Sequence, residues 1–146
     1  MSQPNRAELP AFKLDQQGLA RVFGELEAAV MDAVWSLEAA TVAEVCARLG
    51  QDANYKTVTT VMNRLVAKGA LRRRHTSSRA FVYSASESRA AFETRLSRRV
   101  AEGLLRDFGA LAVAQFVDAM DAVDPELRAR LETMVKSARD SAEPQA

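Results

Sequence analysis

Apolar residues in the first half of the chain recur every three or four positions, the spacing of helices with one buried face. The first such segment predicts a helix over residues 24–37, with Glu27 outside its apolar stripe. That stripe consists of Leu26, Val30, Ala33, Val34 and Leu37. A second, shorter helix is predicted over residues 42–49, because Thr41 and Glu44 form a capping box in front of it.

The third helical segment has an apolar stripe on one side and a polar surface on the other. Asn54 is predicted as its N-cap, and Lys68-Gly69, a cation followed by glycine, as its end. The apolar stripe consists of Val58, Val61, Met62 and Leu65. The opposite face carries side chains that can donate hydrogen bonds, namely Lys56, Thr57, Thr59, Thr60, Asn63 and Arg64.

The pattern then changes to that of a β-hairpin. Residues 71–74 and 79–83 flank a turn-like His75-Thr76-Ser77-Ser78, and the second arm is aromatic and β-branched. Three short helices followed by a hairpin form the winged helix-turn-helix arrangement. In that arrangement the third helix enters the DNA major groove, and the hairpin, called the wing, reaches the neighbouring backbone.

The second half of the chain predicts three further helices. Residues 84–87 offer a capping box for a long helix, another helical segment follows, and Asp124-Pro125 starts the last one. Their apolar positions include Phe92, Leu96, Val100, Leu104, Leu111, Phe116, Leu127, Leu131 and Met134. Burying one such side chain contributes about 1.5–3 kcal/mol. We therefore expect these helices to form a homodimer with a second copy; a monomer in which they fold back on the N-terminal domain is the alternative.

The fold class predicted from these elements is mainly α with a small β-hairpin wing. It combines a winged helix-turn-helix DNA-binding domain over residues 23–85 with a C-terminal helical dimerisation region over residues 86–139. Residues 1–22 are expected to form a flexible arm, and residues 140–146 a frayed tail.

Charge is distributed unevenly, although the net formal charge is only +1. Residues 53–86 contain seven basic side chains and no acidic one. The basic residues are Lys56, Arg64, Lys68, Arg72, Arg73, Arg74 and Arg79. Such a segment concentrates positive potential on part of the surface, as a phosphate-binding face does; a solvated charged face is the alternative. Together with the polar face of the third helix, it predicts double-stranded DNA as the partner.

Other kinds of chemistry find little support in the sequence. One cysteine, Cys46, and one histidine, His75, exclude a disulfide framework and a multi-cysteine metal site, and they make Ser-His or Cys-His catalysis improbable. No Gly-rich phosphate loop, HExxH or GxSxG pattern is present, so we expect neither an enzyme nor a cofactor. The sequence starts without a secretory signature, and no apolar run approaches the ~18 residues of a membrane span. A cytoplasmic protein without membrane insertion is therefore expected.

Four segments resemble the BlaI/MecI/CopY family of bacterial winged-helix repressors. They are GELEAAVMDAVW, TVAEV, YKTVTTVMNRLVAKGALRR and RAFVYSA, at residues 24–35, 41–45, 55–73 and 79–85. The resemblance implies a homodimer that blocks transcription from an inverted-repeat operator. It places four residues at groove-contacting positions, Lys56, Thr57, Thr59 and Thr60. Thr59 stands where the methicillin-resistance branch has arginine, which implies that a different operator sequence is read.

The resemblance also implies a route of release. In the β-lactamase branch, a membrane-bound sensor protease leads to cleavage of an Asn-Phe bond in the dimerisation helices, and the corresponding bond here is Gln115-Phe116. The copper-responsive branch ends in a CxC…CxC metal site, whereas no cysteine follows Cys46, so copper sensing by that route is excluded. Two alternatives stay open: a winged-helix protein-interaction module without nucleic acid, and a regulator that responds to a small ligand.

Overall fold

The computed structural model describes residues 11–142 and contains two compact units, Met1–Ser97 and Arg98–Ala146. The first element of the first unit is a short 3-10 helix, Gly18–Arg21. It is followed by α1 (Glu25–Leu37), β1 (Ala39–Ala40), α2 (Val42–Leu49), α3 (Tyr55–Ala67) and β2 (Leu71–His75). The elements that follow are β3 (Phe81–Ala85), α4 (Arg89–Phe108), α5 (Ala110–Val123) and α6 (Pro125–Ala142). The division between the units falls within α4. The predicted fold class, mainly helical with a small antiparallel sheet, is confirmed.

Short-range sequence signals start α2 and α3 and end α3, as predicted. The side-chain oxygens of Thr41 and Asn54 each accept the backbone N–H three residues further on, at 3.2 Å. Gly69 follows α3 with φ +81°, a left-handed conformation that glycine adopts at low cost. The N–H groups of Gly69 and Ala70 bond back to carbonyls of the last turn at 3.0 and 2.9 Å, which is the Schellman motif.

The sheet has three antiparallel strands in the order β1-β3-β2, one more than the predicted hairpin. β1 contributes only Ala39 and Ala40, which lie opposite Ser84 and Tyr83 of β3. Two consecutive alanines carry no alternating pattern, so the sequence does not reveal this strand. The second arm of the hairpin also begins two residues later than predicted, at Phe81.

The core of the first unit lies between α1, α2, α3 and the sheet. Its buried side chains include the apolar stripe of α3, as predicted: Val58, Val61, Met62 and Leu65. Tyr83 of β3 and Leu71 of β2 are each 1% exposed, so the hairpin is held to the helices by one large side chain from each strand.

The buried face of α1 differs from the predicted one. Leu26, expected in the apolar stripe, is 37% exposed, whereas Glu27, expected outside it, is 8% exposed. The Glu27 carboxylate lies 3.3 Å from Lys68 Nζ and 3.6 Å from Arg64 Nη1, both on or just beyond α3. Two cations from another element stabilise this acid in a buried position. The spacing of apolar residues in α1 gives no indication of these two cations, because both lie more than thirty residues after Glu27 in the sequence.

Part of the predicted flexible arm is ordered and contributes to the core of the first unit. Val22 is 3% exposed and belongs to the core. The Arg21 guanidinium lies 5.4 Å from the centre of the Phe12 ring, a cation–π contact. Residues 11–22 contain too few apolar positions for a periodic signal, which is why the sequence predicts no structure there. Residues 1–10 of the arm lie outside the described residues.

α4 begins after a cap that the sequence analysis placed elsewhere. Ser88 Oγ accepts a backbone N–H from the first turn of α4 at 3.1 Å. The predicted capping box at residues 84–87 does not start the helix, because Ser84 is paired with its neighbours in the sheet. The Glu87 carbonyl instead accepts the Trp35 indole N–H at 2.9 Å, which ties the start of α4 to α1.

Phe92 lies in the core of the first unit rather than on a surface left for a second copy. It is 4% exposed, and its ring centre lies 5.4 Å from that of Phe23 and 5.7 Å from that of Trp35. Leu96 packs against the same core. The assignment of Phe92 to the dimerisation region is therefore corrected. The predicted domain boundary at residue 85 assigns Phe92 to a different domain from Phe23 and Trp35. These are the aromatic residues with which it packs, and they lie more than fifty positions earlier in the sequence.

The second unit consists of the end of α4 together with α5 and α6. Asp124 Oδ1 accepts a backbone N–H of the first turn of α6 at 3.0 Å, directly before Pro125, as predicted. α6 continues to Ala142, past the fraying predicted at Asp140; residues 143–146 lie outside the described part. Within α5 and α6, Ala112 is the only buried residue described. This unit therefore leaves most of its large apolar side chains uncovered.

We expect Phe92→Ala to lower the free energy of unfolding by about 3–5 kcal/mol, because it removes a buried ring from an aromatic cluster. Urea unfolding followed by the fluorescence of Trp35, the single tryptophan, reports on this cluster directly. Leu14→Ala is the matched control, since Leu14 is 83% exposed and should cost less than about 0.5 kcal/mol. Equal losses in the two variants would show that Phe92 is not a core residue.

Candidate nucleic-acid interface

The polar face of α3 points to solvent, opposite its buried stripe. Lys56, Thr57, Thr60 and Arg64 are exposed, and Thr59 is half-buried. Burial of the apolar stripe fixes this orientation, since residues two positions away lie about half a turn around the helix. Five of the residues predicted to bind DNA are therefore presented together by one helix.

Two threonine hydroxyls of α3 are bonded within the helix. Thr59 Oγ1 donates to the Tyr55 carbonyl at 2.8 Å, and Thr60 Oγ1 donates to the Lys56 carbonyl at 3.0 Å. Each hydroxyl hydrogen is engaged, so the oxygen is left as an acceptor beside a methyl group. A threonine methyl can contact the methyl of thymine, and the oxygen can accept from an exposed base amino group.

The wing distributes its arginines over two faces. Neighbouring residues of β2 point to opposite sides, so Arg72 and Arg74 share one face while Arg73 lies on the other with buried Leu71. Arg72 and Arg74 are exposed and form no ion pair among the described residues. Their face of the hairpin is therefore free to approach a phosphate backbone.

Arg79 lies in the turn that joins the two strands of the wing. Its φ of +64° is uncommon for a residue with a side chain. Backbone bonds on both sides stabilise this conformation: Arg79 N–H donates to the Thr76 carbonyl at 3.1 Å, and Thr76 N–H donates to the Ala80 carbonyl at 3.1 Å. The exposed arginine is thus carried on a defined tight turn.

Two of the cations predicted to bind DNA form ion pairs with Glu27 instead. The carboxylate contacts Lys68, the C-cap of α3, and Arg64 in its last turn. In the part of the chain described, Glu27 is the carboxylate that forms ion pairs with the basic segment of residues 53–86. The acidic residue comes from α1, so a count of charges along residues 53–86 could not have found it.

Asn63 faces the wing rather than the outer side of α3. Its Oδ1 accepts the Tyr83 hydroxyl at 2.9 Å and Arg73 Nη1 at 2.8 Å. The Arg73 guanidinium also lies 4.6 Å from the centre of the Phe81 ring. The sequence analysis predicts Asn63 and Arg73 as DNA contacts, and nothing in their spacing indicates that they bond to each other or to Tyr83.

The residues predicted for dimerisation fall into two groups. Phe92 and Leu96 belong to the first unit, as described above. Most of the others lie in the second unit along two apolar hollows. The first is lined mainly by Leu104, Phe108, Leu111, Ala112 and Phe116. The second is lined by Phe116, Met120, Val123, Leu127, Leu131 and Met134. Val100 is half-buried in α4.

The peptide bond Gln115-Phe116 lies in the middle of α5. Both side chains are exposed, and Gln115 lines the first of the two hollows together with Phe116. The bond itself is part of a continuous helix, so its backbone is not extended as a protease substrate requires.

Between residues 11 and 142, no group of three or more His, Cys, Asp or Glu side chains is arranged to hold a metal ion. Over the same residues, every helix is too short or too polar to span a lipid bilayer.

Several known structures are similar to this chain at low sequence identity. BpsR of Bordetella bronchiseptica, whose DNA binding is regulated by 6-hydroxynicotinic acid, is 15% identical over 80% of this chain and 75% of its own, with a TM-score of 0.41. The adhesin competence repressor of Streptococcus pyogenes is 18% identical over 73% and 82%, with a TM-score of 0.39. A variant of ZitR from Lactococcus lactis is 11% identical over 95% and 86%, with a TM-score of 0.40. No curated protein sequence matches the chain.

A family model provides the decisive match. The model of the penicillinase repressor family matches residues 23–137, which include α1 to α5 and most of α6. The match covers both the winged helix-turn-helix elements and the helices of the second unit, so it applies to the chain as a whole rather than to a shared motif. The chain therefore belongs to the penicillinase repressor family and is a winged-helix DNA-binding transcriptional regulator.

Proposed function

We propose that the protein represses transcription as a homodimer bound to an inverted-repeat operator. The observation that carries this proposal is the shared exposure of Lys56, Thr57 and Thr60 on α3 and of Arg72 and Arg74 on the wing. A DNA-bound repressor acts at the chromosome, so the proposed location is the cytoplasm.

In the proposed complex, the start of α3 enters the major groove. The small side chains of Thr57 and Thr60 allow the helix backbone to come close to the base edges, and Lys56 supplies a cation near them. The N–H groups of the first turn and the positive end of the helix dipole favour a phosphate there. The arginines Arg72, Arg74 and Arg79 of the wing contact the neighbouring backbone, where Coulomb attraction needs no base sequence.

The second unit supports the proposed dimer. Of the thirteen large apolar side chains exposed between residues 11 and 142, nine lie from Leu105 onward. Exposed apolar surface of this extent on one unit is typical of an interaction site. A second copy of the same helices covers it symmetrically, and it also presents two α3 helices to one duplex.

Release by proteolysis is the part of the proposal that depends on the family resemblance. A membrane-bound sensor protease would lead to cleavage at Gln115-Phe116. Since this bond lies within α5, the helix has to open locally before it is cut. Cleavage would separate α6 and part of α5 from the rest, and so remove half of the surface offered to the second copy.

We expect selection from a randomised duplex library to recover an inverted repeat. Its half-site centres should be one helical turn, about 10–10.5 base pairs, or a multiple of it apart, because a two-fold dimer presents two equivalent helices. Lys56→Glu should abolish recovery of this site. A protein-interaction module would instead recover no common sequence, and its Lys56→Glu variant would keep its cellular function.

We expect operator affinity to fall steeply with salt. If each protomer contacts about four phosphates, the logarithmic slope of the dimer is about −7. Lys56→Gln should bring this slope about two units closer to zero, one charge per protomer, when measured by fluorescence anisotropy. Lys136→Gln on α6 makes the same change of charge outside the winged helix-turn-helix elements and should leave the slope unaltered. A wild-type slope near zero contradicts DNA binding through this surface.

We expect Phe116→Asp to dissociate the dimer, since it places a charge on the surface that a second copy covers. Sedimentation equilibrium should give twice the chain mass for the wild type and one chain mass for the variant. Ala114→Asp places the same charge two residues away on α5, about half a turn from Phe116, and should remain dimeric. Two variants with the same mass would exclude this face as the dimer interface.

A further inference from the structure

The side-chain hydrogen bonds between α3 and the wing converge on a single atom. Arg73 and Tyr83 lie directly opposite each other on β2 and β3, and their side chains share one face of the hairpin. Both donate to the Oδ1 of Asn63, at 2.8 and 2.9 Å. Both strands of the wing are thereby attached to one amide oxygen of the third helix.

The two donors are themselves held in place. Tyr83 is 1% exposed, so its hydroxyl approaches Asn63 from within the core. The Arg73 guanidinium lies over the Phe81 ring at 4.6 Å, and the Phe81 and Tyr83 rings meet edge to face at 6.5 Å. Arg72, one residue away on the opposite face of β2, has no such contact among the described residues.

The chemistry of this contact argues against Asn63 as a reader of bases. An asparagine recognises adenine through its oxygen and its amino group together, because adenine offers a donor and an acceptor side by side. An arginine can only donate, so the Asn63 atom that faces Arg73 is the oxygen. The two lone pairs of that oxygen are already matched by two donors. Asn63 therefore cannot form the two-hydrogen-bond contact with adenine while these two bonds are made.

We propose that Asn63 is a positioning residue that fixes the wing relative to the reading face of α3. The inference rests on the proposed DNA-binding function and assigns this residue's role within it. With the wing anchored, Arg72 and Arg74 meet the DNA backbone at the same time as Lys56 and Thr60 meet the groove. Without the contact to Asn63, the wing would have to become ordered when DNA binds. The free energy that this ordering costs would lower the affinity for DNA.

Tyr83→Phe tests the proposal, because the variant removes one buried oxygen and changes no charge. A side chain that is 1% exposed cannot reach DNA, so an effect on binding acts through the contact with Asn63 or through a loss of stability, which the control below separates. We expect the affinity of the full-length protein for its selected operator to fall by about threefold to tenfold, the range for one lost hydrogen bond. The salt slope and the affinity for a scrambled duplex should not change.

Ser86→Ala is the matched control for a loss of stability alone. Ser86 Oγ donates to the Gly69 carbonyl at 2.7 Å, a side-chain-to-backbone hydrogen bond of the same unit that lies at the base of the hairpin and does not involve Asn63. In the Ser86→Ala variant, the ratio of the affinity for the operator to the affinity for the scrambled duplex should equal that of the wild type. In the DNA-free protein, backbone amides of β2 and β3 should exchange faster in Tyr83→Phe than in Ser86→Ala.

A double-mutant cycle with Asn63→Leu completes the test. If both residues act through one contact, adding Tyr83→Phe to Asn63→Leu causes no further loss of operator affinity. Independent, additive losses would overturn the proposal, as would a Tyr83→Phe variant that binds its operator as the wild type does. Failure of the DNA-binding function is distinguishable, because the wild type itself would then not discriminate the selected duplex from the scrambled one.

Discussion

Burial of the apolar stripe of α3 is the constraint on which the rest of this structure depends. Val58, Met62 and Leu65 are fully buried, so α3 is fixed in rotation about its own axis. That rotation turns Lys56 and Thr60 to solvent. The polar face is therefore a consequence of core packing and not of any direct interaction between its members. A substitution in the stripe would disturb the candidate DNA surface even though it touches none of its residues.

The structural features that could be predicted correctly from the sequence are those formed by residues close together in the chain. The caps at Thr41 and Asn54, the glycine stop at Gly69 and the stripe of α3 all involve residues within about one or two helical turns of each other. Such interactions leave a pattern in the linear sequence, because the partners have a fixed spacing. The order of helices and hairpin, and with it the winged-helix fold, followed from these signals together with the resemblance to a known family.

Interactions between distant elements were the ones missed. β1 is defined by its pairing with β3, and the buried position of Glu27 is explained by Lys68, about forty residues later. The helical spacing assigns Phe92 to the dimerisation region, because its partners Phe23 and Trp35 are far away in the sequence. A helical stripe shows that a side chain needs cover, but it does not show which element supplies it. The same limit applied to Asn63, whose position on the polar side of α3 did not reveal its partners on the wing.

Glu27 also changes how the basic segment can act on DNA. Its carboxylate holds Lys68 and Arg64 at the end of α3, whereas Lys56 at the start of the helix and Arg72 on the wing have no ion pair in the described part of the chain. In a winged-helix complex, the start of the third helix and the wing come closest to the duplex. If the protein binds DNA as proposed, cations in those places attract the duplex most strongly, whereas Lys68 and Arg64 connect α3 to α1 through Glu27 and contribute less to sequence-independent attraction. Sequence-independent attraction contributes to operator binding and to binding elsewhere alike, so pairing these cations lowers both. In the proposed complex, discrimination between the two therefore depends on the base contacts of the face of α3 that Glu27 helps to orient.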